Sequence, residues 1–393
     1  MSDFQVRPGK TYRIKNYHTG QYITPQQWEI GKRERAQAAM WSKSDNPRQA
    51  WHIFGLDANK KMIVNATGGE ILSPYTRAVD HKVVGTPVWY YNATYMNQQS
   101  WFMRPVGDGC FHIANVLSGG LMAPDSYDPG NTEGNKGWAG LGQYFQAAPE
   151  DKLYWWYLEE AHDVPYVQPY RRDNDVLTPT PKMTSRNDPG DTKKELISRT
   201  LVPFLMIDEF HDGSRDYEQT AFYRRAGATP YYAIERFGYW KRFNYEAYDS
   251  PKQFEKNVDL KYGVVSENTK KVESTTGIEV KLDLGCAFKG VSASISTTLK
   301  YELHVSESSS TKTESSKTET TKVIYPAGKG FAGTTWVRAD EYVLSRVEPS
   351  GQTAEITRWE TVNKAIQAVS SWPPSKESAP PAPAGAKDRA LGE

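Results

Sequence analysis

Thr19-Gly20-Gln21-Tyr22-Ile23-Thr24-Pro25 returns twice along the chain, as Gly68-Gly69-Glu70-Ile71-Leu72-Ser73-Pro74 and as Ser118-Gly119-Gly120-Leu121-Met122-Ala123-Pro124. The prolines recur at intervals of 49 and 50 residues, and a fixed period of that size marks a repeat architecture. Each copy follows a β-patterned segment ending in asparagine, a turn former: Tyr12 to Asn16, Met62 to Asn65 and Phe111 to Asn115. Each unit therefore opens with a hairpin. The units close on Gln49-Ala50-Trp51, Gln99-Ser100-Trp101 and, less faithfully, Leu153-Tyr154-Trp155. Trp51, Trp101 and Trp155 are accordingly expected in a core. Three units of about 50 residues are too few for a propeller.

Three four-stranded units around a pseudo-threefold axis make a β-trefoil, and the Gln-x-Trp endings resemble the ricin-B-type lectin repeat over about residues 8–160. The first unit keeps Asn46-x-x-Gln49-x-Trp51, the second has Asn97 one position too close to Gln99, and the third lacks the glutamine. The resemblance implies sugar binding, with Asn46 and Asp125 as the nearest polar counterparts. Trp41, Trp89, Tyr90, Tyr91 and Trp138 lie in longer polar stretches, where an exposed ring could stack on a pyranose. Burial remains open for each of them.

The 393 residues predict two or three domains at roughly 100–200 residues each. Lys+Arg number 48 against Asp+Glu 47, so no basic field steers nucleic acid, and no such partner is expected. With 12 Trp, 24 Tyr and 13 Phe, the composition suits short strands over long apolar helices, and an all-β fold is expected. No run approaches the ~20 apolar residues of a membrane helix. The first residues, Met1 to Pro8, carry no apolar signal-peptide core. Cys110 and Cys286, the two cysteines, imply no disulfide framework. The seven histidines show no metal-ligand spacing, and nucleophile-elbow, phosphate-loop and dinucleotide motifs are missing. Neither catalytic residues, metal nor cofactor is expected.

From His162 to Lys194 five prolines among Arg, Asp, Asn and Thr mark a connection. Thr200 to Asp208 and Thr229 to Phe243 then read as strands of a second β domain. Thr200-Leu-Val-Pro203, Thr229-Pro-Tyr-Tyr232, Tyr239-Trp-Lys-Arg242 and Ser371-Trp-Pro-Pro374 stand in the order and spacing of the Bin-like (Tpp) insecticidal crystal toxins, which this chain resembles over nearly its whole length. The resemblance implies an N-terminal β-trefoil followed by an elongated aerolysin-like antiparallel sheet. The expected division is a trefoil at 1–160, a linker at 161–198, a pore-forming domain at 199–374 and a disordered Pro/Ala-rich tail at 375–393. It further implies production in the bacterial cytoplasm, with crystal inclusions, and proteolytic activation, with Lys376, Lys387 and Arg389 as candidate cuts.

One segment is patterned for lipid. Ile278, Val280, Leu282, Leu284, Cys286 and Phe288 occupy even positions, and Val291, Ala293, Ile295, Leu299, Tyr301, Leu303 and Val305 odd ones. A two-residue turn at Lys289-Gly290 explains the switch: it pairs Phe288 with Val291, Leu284 with Ile295 and Val280 with Leu299, so both strands turn their apolar residues to one face. Ile278 to Phe288 supplies the ~9–11 residues a membrane strand needs. A lone hairpin leaves edge groups unsatisfied in lipid, so several chains must close a barrel, whose smallest form has about eight strands. Ser306 to Lys322, built only from Ser, Thr, Glu and Lys, resembles the Ser/Thr-rich strands beside the inserting hairpin of aerolysin-like toxins. Three functional readings follow: a pore-forming toxin that meets a cell-surface receptor or glycan and homo-oligomerises; the receptor-binding half of a binary toxin with a smaller partner; and a lectin that never inserts.

Overall fold

The computed structural model describes residues 6–25, 36–55, 60–73, 78–79, 82–83, 87–89, 98–127, 138–145, 147–174, 176–177, 179–207, 229–264, 272, 278–279, 287–288, 301–303 and 317–374. Two antiparallel β assemblies make up its bulk, one of 14 strands and one of seven.

The first is a trefoil, and its repeat is visible bond by bond. Trp51–Gly55 pairs with Lys60–Asn65, and Ser100–Gly107 with Cys110–Asn115. The third hairpin joins the ends of the domain, Lys10–Asn16 with Trp156–Asp163. Three further hairpins cap these: Tyr22–Pro25 with Ala36–Trp41, Ile71–Leu72 with Pro87–Trp89, and Leu121–Tyr127 with Trp138–Tyr144. The repeated asparagines are buried turn builders. Asn16, Asn65 and Asn115 each accept from the backbone N–H groups two and three residues on, which closes the turn. Each also donates Nδ2–H to a carbonyl ahead of the unit's core tryptophan, on Leu153, Arg48 and Gln98 at 2.8, 2.8 and 2.7 Å. Gly20, Gly69 and Gly119 sit in those turns at φ of 70°, 74° and 70°, a conformation that costs glycine least.

Three tryptophans fill the centre, but the third is Trp156. Trp51, Trp101 and Trp156 are fully buried and donate their indole N–H to Ile23 O, Leu72 O and Met122 O at 3.0, 2.9 and 2.8 Å. Those acceptors keep the intervals of 49 and 50 seen in the sequence. Trp155, expected in this role, is half-buried and donates to Pro149 O. The reason is local. Asn46 caps the 3-10 turn Pro47–Gln49, and Asp151 caps the equivalent turn Lys152–Tyr154; Tyr154, not Leu153, therefore stands where Gln49 does.

The second assembly runs in the order Tyr170–Arg171, Glu195–Pro203, Tyr231–Ser250, Gly328–Val347, Thr353–Trp372, Phe254–Val264, Lys317–Tyr325. Three of its strands have 20 residues, and at ~3.3 Å per residue each spans about 65 Å, so this part is elongated. The first half of Tyr231–Ser250 is buried almost continuously, which means cover on both faces, and its second half is mostly half-buried. The strand expected from Thr200 to Asp208 stops at Pro203, where the 3-10 turn Phe204–Met206 begins. The proline-rich stretch lies along this sheet, contributing the edge strand Tyr170–Arg171 and burying Leu177 and Met183 beside Ile197 and Trp240. A Cβ at Gly238 would come within 3.1 Å of both Leu177 and Ile197, so this glycine allows that close approach.

The assemblies share one apolar cluster. Phe54, Met62, Val64 and Ile71 of the trefoil join Val202, Phe204, Tyr231, Tyr232, Ile234, Leu344 and Trp359 of the long sheet. Phe54 meets Phe204 and Tyr231 edge to face at 6.3 and 5.6 Å. The tail at 375–393 lies outside the described residues.

Candidate functional site

The segment patterned for lipid departs from the long sheet after Val264 and rejoins it at Lys317. Phe254–Val264 and Lys317–Tyr325 form an antiparallel ladder from Phe254 opposite Tyr325 to Tyr262 opposite Lys317, without a bulge. Beyond it Gly263 and Val264 change partner and pair with Val362 and Thr361. Val272 and Leu303, near the two ends of the excursion, are fully buried in the cluster shared by trefoil and long sheet. They are its anchors. Ser198 Oγ donates to Leu303 O at 2.8 Å, and Arg236 Nη1 donates to the same oxygen at 3.3 Å. Arg236 is itself buried and paired with Asp340 at 2.8 Å, so a charged network, compensated within the sheet, underlies the anchor. Thr200 Oγ1 donates to Glu302, and the Arg171 guanidinium stacks 4.1 Å from the ring centre of exposed Tyr301.

In this state the described residues of the expected hairpin pair differently. Ile278–Glu279 pairs with Ala287–Phe288, setting Ile278 opposite Phe288 and Glu279 opposite Ala287. One uninterrupted strand from Ile278 to Phe288 is thereby excluded in this state, because its ends would lie about 33 Å apart. Tyr301 and Glu302 are helical and Leu303 is in a turn, so the expected return strand is absent at those residues. Leu303 is held by burial in the core and Tyr301 faces solvent. Val280, Leu282, Leu284, Cys286, Val291, Ala293, Ile295 and Leu299 lie outside the described residues, as does the turn at Lys289-Gly290.

The carbohydrate candidates are scattered. Asn46 is exposed, and its side chain accepts from Arg48 N at 3.0 Å, capping a turn. Trp41 is half-buried at the end of its strand, opposite Tyr22. Trp89 ends its strand opposite Ile71, and Trp138 opens its strand opposite Tyr127. Tyr90 and Tyr91 lie outside the described residues. Asp125 is buried and accepts from Tyr144 Oη at 2.9 Å. Burial first, then the field and hydrogen bond of Asp125, push the Tyr144 hydroxyl far up, so it stays protonated as the donor. Hydrogen-bonded within its own hairpin, Asp125 is not presented on a surface.

A different group of rings stands at the surface. Tyr17, Trp155 and Tyr157 form a corner, with Tyr17 5.8 Å from Trp155 and 6.2 Å from Tyr157, both edge to face. Lys15 flanks it, 5.0 Å from the Tyr157 ring centre, and shares Glu159 with Lys43. Burial raises the Glu159 pKa, but hydrogen bonds from Lys43 and Tyr22 and the charges of Lys15 and Lys43 outweigh that and hold it below the usual carboxylate range. The available sequence signal was Asp151, placed five residues before Trp156 as Asn46 is before Trp51; it would have released Trp155 from the core.

The described residues thus make a β-trefoil joined to an elongated antiparallel sheet, with an excursion between two of its paired strands. Residues 195–374 match the family described as Insecticidal Crystal Toxin, P42. The crystal structure of Cry35Ab1 matches 94% of this chain and 91% of its own, at TM-score 0.68 and 18% identity, so the two share their fold from end to end. A designed threefold-symmetric protein, ThreeFoil, matches 38% of this chain and 96% of its own at TM-score 0.32 and 18% identity. No curated protein matches the sequence. Among the described residues no helix is long and apolar enough to cross a membrane.

Proposed function

We propose that this protein is an insecticidal pore-forming toxin: the trefoil binds a receptor or glycan on gut cells, chains oligomerise, and residues 278–305 insert as one hairpin per chain into a shared β-barrel. The reading includes a bacterial source that stores the protein before release, and no enzymatic step.

The observation that carries it is the ladder between Phe254–Val264 and Lys317–Tyr325. Continued inward at an unchanged register from Tyr262 opposite Lys317, it sets Ile278 opposite Tyr301, Val280 opposite Leu299 and Phe288 opposite Val291. That is the register demanded independently by the apolar alternation of the sequence. The observed ladder supplies the base that such a ribbon needs. Along that ribbon 265–277, apart from Val265 and Val272, and 306–316 are polar and the tip is apolar on one face, which fits a shaft in water and a band in lipid.

The test replaces Cys110 and Cys286 by Ser and introduces Val280→Cys with Leu299→Cys. On liposomes under mild oxidation, an intramolecular disulfide is expected to form together with oligomers and dye leakage. Leakage with cross-links only at a shifted pair, such as 280 with 297, overturns the register. No leakage from protease-trimmed protein on any vesicle or target-cell membrane overturns the pore.

A further inference from the structure

The internal symmetry of the trefoil shows what its fold requires at each corner. Three equivalent backbone hydrogen bonds, Tyr17 N to Trp155 O, Ala66 N to Ala50 O and Val116 N to Ser100 O, lie at 2.8, 2.9 and 2.9 Å. Two corners are thus built from Ala66 with Ala50 and from Val116 with Ser100. The remaining corner uses Tyr17 and Trp155, whose rings exceed what the turn needs, while Tyr157, beside Tyr17, stands where the other units carry His52 and Phe102. Tyr17 is 36% exposed, and Trp155 and Tyr157 are half-buried. The Trp155 indole N–H is held by Pro149 O at 3.0 Å. The platform is therefore preformed.

A cation lies on this platform. Lys152 Nζ stands 4.9 Å from the ring centre of Tyr17 and 5.9 Å from that of Trp155. Lys15 and Lys43 both pair with Glu159; among the described residues no ion pair engages Lys152. An ammonium parked on π faces and in no ion pair among the described residues is placed to receive an anion.

We propose that the Tyr17–Trp155–Tyr157 corner with Lys152 binds an acidic glycan, a pyranose bearing a carboxylate or sulfate. Its C–H face stacks on the rings and its anion meets Lys152. The inference deepens the receptor-binding half of the proposed function, and it uses none of the carbohydrate candidates read from the sequence. Rings pinned edge to face suit a rigid sugar better than a bilayer, whose anchors project freely into the headgroups.

The experiment measures binding of the intact chain to glucuronate-terminated and sulfated oligosaccharides and their neutral counterparts. Phosphatidylglycerol vesicles form a separate arm. Lys152→Gln, at an exposed position, is expected to weaken acidic glycans about tenfold or more and to leave neutral ones unchanged. Trp155→Ala, with an unchanged melting temperature, is expected to abolish both. Absence of acidic-glycan binding by the wild type, binding indifferent to either substitution, or loss confined to the vesicle arm overturns the proposal. Leakage by protease-trimmed protein from vesicles and target-cell membranes is read in parallel: failure on all of them, with glycan binding intact, removes the pore and leaves the platform.

Discussion

Trp156 fills the trefoil centre and donates to Met122 O, while Trp155, one residue earlier, turns outward against Tyr17. Removing a fully buried indole costs about 3–5 kcal/mol, mostly through the cavity left behind; shortening a surface ring changes stability by about 0.5 kcal/mol or less. Urea denaturation is therefore expected to show Trp156→Ala strongly destabilised and Trp155→Ala near wild type. Equal losses would reject the assignment. The repeat was legible because its turn chemistry is strict: an asparagine that bonds two N–H groups and a glycine at positive φ tolerate few substitutes. The closing motif was less legible. Gln49 is there for structure, donating to Ser42 O at 2.8 Å and accepting from Ser44 N at 2.9 Å. In the third unit Tyr154 occupies that place and packs on Tyr144, so a search for glutamine lands one residue early.

At the scale of elements, alternation told which residues share a face but not which strands pair. Folding Ile278–Phe288 on itself sets even against even, apolar on apolar, as in the observed pair Ile278 and Phe288; pairing it with 291–301 sets even against odd, again apolar on apolar. Both arrangements satisfy the pleat, and the soluble chain takes the one that lets Val272 and Leu303 reach the core. Under the proposed pore mechanism Leu303 acts as a latch. Leu303→Ala is expected to lower the cost of unseating the segment by about 2–5 kcal/mol, so dye leakage from vesicles starts earlier at equal protein concentration. Hydrogen exchange at residues 301–303 should rise in parallel. If onset and exchange both match the wild type, burial of Leu303 is not what restrains the hairpin.

At the scale of the whole molecule, Met62-Ile63-Val64 is buried on both sides: Ile63 faces the trefoil centre, and Met62 and Val64 the cluster shared with the long sheet. The unbroken apolar run hinted at two covered faces, yet nothing in it named the second partner. A large hydrophobic contact between domains makes them unfold together. Calorimetry of the wild type is accordingly expected to show one cooperative transition for trefoil and sheet. Phe54→Ala removes the ring between Phe204 and Tyr231 at a cost of about 3–5 kcal/mol and should split that transition in two. Because the same cluster seats Val272 and Leu303, the variant should also release the hairpin with less provocation, without any change to the hairpin itself. Two separate transitions in the wild type, or a Phe54→Ala protein whose leakage is unaltered, would show that the trefoil does not help hold the segment.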